Sequence, residues 1–175
     1  MRSARPPSAL AFARDVRSLL AVLVLLASLG IACGGSDDVE AELDTRSAAE
    51  IVAALKTDGQ PIANTEDYTA ENDPDKLLGR PGQYTSKTNF RDSRIPGIDL
   101  FGIDVQAGGS IEVFASEEDA TRRRNYLQTV TQVAPFLVEY DYQHGALILR
   151  LSRSLTPEQA EAYFTALKEG SSQQD

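Results

Sequence analysis

The chain has 175 residues, 42% of them hydrophobic and 25% charged, with 17 basic and 26 acidic side chains and a formal net charge of −9. This length allows one domain and an appendage, and the composition excludes a multi-pass membrane protein, a collagen-like fibre and a wholly disordered chain. The acidic excess argues against nucleic acid as a partner, since that binding needs cations to displace counterions; one Cys excludes an intrachain disulfide, and one His excludes a multi-His metal site.

In chain order, Met1–Arg17 carries Arg2, Arg5, Arg14 and Arg17 against one acid, Asp15, and the 15 residues Ser18–Ala32 are uncharged. A spanning helix needs about 20 apolar residues, so this run suits the central region of a secretory signal peptide. Cys33 follows in the string Leu29-Gly30-Ile31-Ala32-Cys33, and Gly34-Gly35-Ser36-Asp37-Asp38 then reads as a flexible polar tether. The string resembles the lipobox of bacterial lipoproteins, with Leu29 one position further from the Cys than is commonest. That resemblance implies diacylglycerol on the Cys33 thioether, cleavage ahead of it by signal peptidase II, and acylation of the freed amine, together enough for stable anchoring. Residues 33–175 would then hold 13 basic and 25 acidic side chains, net −12, and stand off an anionic bilayer. With Arg outnumbering Lys by 13 to 4, the segment is similar to those of actinobacterial lipoproteins.

Four parts are expected: a signal peptide over 1–32, a lipidated Cys and tether over 33–44, one α+β domain over 45–170, and a disordered tail over 171–175. Ser47-Ala48-Ala49-Glu50 matches a capping box, and Ala48, Ile51, Val52 and Leu55 share a helical face, so a helix is expected over 47–57, ended by Gly59. Residues 60–98 hold four prolines and no sustained period, with strand-like composition at 83–90. A hairpin over 100–115 turning at Ala107–Gly109 would place Ile103, Val105, Ile111 and Val113 on one face and Asp104 opposite Glu112 on the other. Ser116 caps a second helix with Ala120, Leu127, Val130 and Ala134 as its buried stripe and Pro135 as its stop. Residues 136–152 read as a second hairpin turning at His144-Gly145, with Val138, Tyr140, Tyr142, Leu147, Leu149 and Leu151 on one face and Glu139 opposite Arg150. Thr156-Pro157 opens a third helix carrying Ala160, Tyr163, Phe164 and Leu167, ended by Gly170. The expected fold is an antiparallel sheet of four to six strands with about three helices packed on one face.

The chain shows no Ser-His-Asp, Cys-His or zinc-ligand set. His144 falls in a turn, Asn72-Asp73-Pro74-Asp75 reads as a Pro turn rather than a cation loop, and Arg122-Arg123-Arg124 reads as a solvated face paired with Glu118 and Asp119. The segment Asn72–Lys87, with Gly109-Ser110-Ile111-Glu112-Val113-Phe114 and Leu137-Val138-Glu139-Tyr140-Asp141-Tyr142, resembles small lipoproteins of Gram-positive bacteria, a resemblance that brings no activity with it. The 72–90 segment is either a loop covering a sheet edge or a recognition surface in which Arg80, Tyr84 and Lys87 contribute donors. The expectation is therefore a non-enzymatic, lipid-anchored extracytoplasmic module without catalytic residues, metal or cofactor. Its partners would be the membrane, through Cys33, and an envelope protein. The alternative is an extracytoplasmic hydrolase working with carboxylates alone.

Overall fold

The computed structural model describes residues 46–97 and 102–172. The signal peptide, Cys33, the tether and the last three residues of the expected tail lie outside the described residues. Helix α1 (Ala48–Thr57) begins as its capping box requires: the Ser47 hydroxyl accepts the Glu50 amide, and the Glu50 carboxylate accepts the Ser47 amide at 2.8 Å. Gly59, with φ +92°, turns the chain away at the other end. Strands β1 (Ile62–Asp67), β2 (Ser86–Asp92), β3 (Gly108–Val113), β4 (Glu139–His144) and β5 (Leu147–Ser152) form one antiparallel sheet in the order β1-β2-β3-β5-β4. Helix α2 (Glu117–Val133) follows β3, and helix α3 (Pro157–Ser171) follows β5.

The fold is α+β, as expected, but the helices divide between the two faces of the sheet. Alternate residues along the strands, Phe90, Ile111, Val113, Leu147, Leu149 and Leu151, meet Ile51, Val52 and Leu55 of α1 and Ala160, Tyr163 and Leu167 of α3 in the main core. Tyr142 stacks on Phe164 at 4.7 Å, and Tyr163 donates to the buried Asp92 at 2.9 Å, so α3 is held to both β4 and β2. The opposite face carries Lys87, Glu112, Ile148 and Gln143 in one rung across the strands, and α2 lies over it with Ala120 against Ile148. The second face is closed by a smaller apolar cluster of Tyr84, Phe114, Ala120, Ala146 and Ile148 together with a set of ion pairs.

Three local expectations are corrected. Residues 105–107 form a single 3-10 turn, not a hairpin strand, with the Asp104 carboxylate accepting the Ala107 amide at 3.0 Å. β3 instead lies at the centre of the sheet between β2 and β5. Gly109 serves close packing rather than turning: a Cβ there would stand 2.5 Å from the Phe90 ring and 2.6 Å from the Arg150 carbonyl. The β4–β5 turn falls at Gly145-Ala146, since His144 pairs with Leu147, Tyr142 with Leu149 and Tyr140 with Leu151. The register is thus two residues from the expected one, a shift that keeps every side chain on its face because the strand period is two. Finally, α3 continues through Gly170, which keeps helical backbone, and Ser171 ties back to the Leu167 carbonyl at 3.0 Å.

Candidate functional site

The covered second face is the chemically dense part of the molecule. It starts from Asp73, fully buried in the loop between β1 and β2. One carboxylate oxygen accepts the Leu77 and Leu78 amides at 2.8 and 3.1 Å and the Tyr84 hydroxyl at 2.7 Å. The other accepts the Lys87 ammonium at 3.3 Å. Burial alone would raise the Asp73 pKa, but these donors more than offset it and hold the carboxyl far below its usual range. Burial and the bond to Asp73 push the Tyr84 phenol up, so it serves as a donor at any physiological pH.

From there charges alternate across the sheet. Lys87 of β2 reaches Asp75 at 2.9 Å, and Asp75 receives Arg123 of α2 at 3.3 Å. Arg123 grips Glu112 of β3 through two bonds of 2.9 Å, and Glu112 also takes Arg150 of β5 at 2.9 Å. Arg150 closes the chain on Glu139 of β4 at 2.8 and 3.1 Å. Glu112 is fully buried, yet the two guanidiniums outweigh the desolvation and keep it ionised. The Arg123 guanidinium also lies between the Tyr84 and Tyr126 rings, 5.7 and 5.8 Å from their centroids. Not every member of the face is satisfied: Asn89 Oδ1, Ser110 Oγ and one oxygen of Asp141, opposite Arg150, are buried without a hydrogen-bond partner. Burial, together with the Glu139 charge beside it, pushes the Asp141 carboxyl up to about 7.

A cleft of about 570 Å³ opens between this network, the 75–83 loop and α2. Asp75, Gln83, Arg122, Arg123 and Arg150 contribute its polar lining, and Leu77, Tyr126, Leu127 and Val130 its apolar wall. A second, shallower depression lies on the outer side of α3 and is largely acidic, with Asp58, Glu158, Glu161 and Glu169.

Of the three residues expected to form a partner surface, only Arg80 is exposed. Tyr84 and Lys87 are interior, 0% and 4% exposed, and their donors are spent on Asp73 and Asp75, so the three do not form a common surface. The Asp73–Asp75 turn holds the Lys87 ammonium where a cation would have sat, and among the described residues no cluster of His, Cys, Asp or Glu is disposed to hold a metal ion. Asp104 and Glu112 are not a pair: Asp104 caps a turn, while Glu112 lies under Arg123. Arg122 alone of the three consecutive arginines fits the solvated reading, paired with Glu118 and Asp119; Arg123 is inside. Residues 75, 112, 123 and 150 were missed as a group. Arg123 did carry a signal, standing three residues after Ala120 and four before Leu127, on the buried stripe of its own helix.

No family model, no curated protein and no solved structure matches this chain.

Proposed function

We propose that the chain is a lipid-anchored, extracytoplasmic binding module of a bacterial cell envelope, tethered through Cys33. The observation that carries this reading is the order of the N-terminal sequence: a basic stretch, 15 uncharged residues, the lipobox-like string and a Gly-Gly-Ser tether ahead of the folded domain. Among the described residues no helix is long and apolar enough to cross a membrane. The cleft under α2 supports a binding role, being concave, apolar on one wall and lined by polar groups held in place by their neighbours. The carboxylate hydrolase is the second reading. Its support is Asp141, whose pKa of about 7 suits a general acid, but Asp141 lines neither the cleft nor the α3 depression.

Metabolic labelling with a fatty-acid probe tests the anchor. The wild-type chain is expected to take up label and sediment with membranes, and Cys33→Ala to lose both while melting at the wild-type temperature. An unlabelled wild-type chain would overturn the proposal.

A further inference from the structure

We infer that the cleft under α2 is a site for a zwitterionic α-amino acid with an apolar side chain, its carboxylate on Arg123 and its ammonium on Asp75. This rests on the binding-module reading and gives it a ligand class. Arg123 and Asp75 line the cleft side by side, joined at 3.3 Å through Nη2 and Oδ2. Their other polar atoms are uncommitted. Among the described residues, all hydrogen bonds of Asp75's carboxylate fall on Oδ2, leaving Oδ1 as a charged acceptor on a side chain 40% exposed. Arg123 spends Nε and Nη2 on Glu112 and Asp75, leaving Nη1 as a charged donor. A donor and an acceptor of opposite charge, one ion pair apart, match the carboxylate and ammonium that an amino acid carries on one carbon.

The charge pairing is compatible with the same ligand. Each cation of the network already faces a carboxylate: Lys87 faces Asp73 and Asp75, Arg123 faces Glu112, and Arg150 faces Glu112 and Glu139. A neutral zwitterion adds no net charge to this half-buried site. Beyond the ion pair, Leu127, Val130 and the Tyr126 ring offer an apolar wall for the side chain. A volume of about 570 Å³ is in the range of small-molecule sites.

The test is calorimetric titration of the full chain in detergent micelles with four probes sharing one ring: L-phenylalanine, phenylacetate, phenethylamine and N-acetyl-L-phenylalanine amide. Phenylalanine is expected to bind saturably, and the anion-only, cation-only and uncharged probes at least tenfold more weakly. Asp75→Asn should weaken phenylalanine at least tenfold. Because Asp75 also belongs to the ion network, Val130→Trp provides a second variant, filling the apolar wall without touching a charge, and should weaken it as much with the melting temperature unchanged. Absence of phenylalanine binding, equal binding of phenylacetate or of the amide, or binding indifferent to a folded Val130→Trp would each overturn the assignment. None of these outcomes bears on the Cys33 label, so the two proposals fail separately.

Discussion

Arg123 and Glu112 meet in a two-bond ion pair, 2.9 Å at each contact, that fastens α2 to the middle strand of the sheet. Glu112 is wholly buried and Arg123 is 8% exposed, so the carboxylate has no water to fall back on. Breaking such a pair from one side leaves an uncompensated charge inside, at a cost of about 3–5 kcal/mol. Glu112→Ala, which leaves Arg123 with Asp75 alone and Arg150 with Glu139 alone, should approach that range in urea unfolding. A double-mutant cycle of Glu112→Ala with Arg123→Ala should return a coupling above about 1 kcal/mol; additive losses would show that the pair does not act as a unit.

The interior position of Tyr84 predicts a contrast with its neighbour. Tyr84→Phe removes the shortest bond to Asp73 and leaves a buried carboxylate short of a donor, which typically costs about 1–3 kcal/mol. Arg80→Ala, on an exposed side chain, should lie within about 0.5 kcal/mol of wild type. Chemical denaturation of the two variants distinguishes them, and equal effects would contradict the placement of Tyr84.

Leu149 sits at the centre of the main core, fully buried and paired with Ile111 and Tyr142 on either side. Leu149→Ala should cost about 2–5 kcal/mol, a large part of a total margin of roughly 5–15 kcal/mol. Gly145, with φ +53° at the first position of the two-residue turn, predicts a smaller loss: Gly145→Val should cost about 1–2 kcal/mol from left-handed backbone alone. Thermal unfolding of Gly145→Val checks this, with a lower melting temperature than wild type as the expected result.

Asp141 gives the pH dependence. Its carboxyl is raised from 3.8 to about 7 in the fold, so between about pH 4 and 7 the folded chain holds a proton that the unfolded chain has released. Stability from this group is therefore present at low pH and is lost as pH rises through about 7. Asp73, Asp75, Asp92 and Glu112 are shifted the other way: their contribution is full above their unfolded values and is lost only in more acidic solution. The melting temperature should thus rise as pH falls from 8 to 5, and Asp141→Asn should flatten that slope while melting at or above wild type at pH 8. A wild-type slope retained in Asp141→Asn would assign it to another group.

The sequence alone determined what depends on near neighbours. Ser47 with Glu50, Ser116 with Asp119 and Thr156 with Pro157 placed the three helix starts, because a cap closes within three residues. Alternation along 139–151 placed Tyr140, Tyr142, Leu147, Leu149 and Leu151 on one face, and parity preserved that result through a register error of two. Tertiary structure decided whatever needs a partner far along the chain. β1 is an edge strand whose one buried residue, Ile62, leaves no alternation to read. Gly108-Gly109 carries the same local signal for a turn as for two backbones passing closely, and only β2 and β5 on either side decide between them. The ion network is the extreme case. Asp75, Glu112, Arg123 and Arg150 each read as an ordinary surface charge, and they become one site only when a loop, two strands and a helix bring opposite charges together around the wholly buried Glu112.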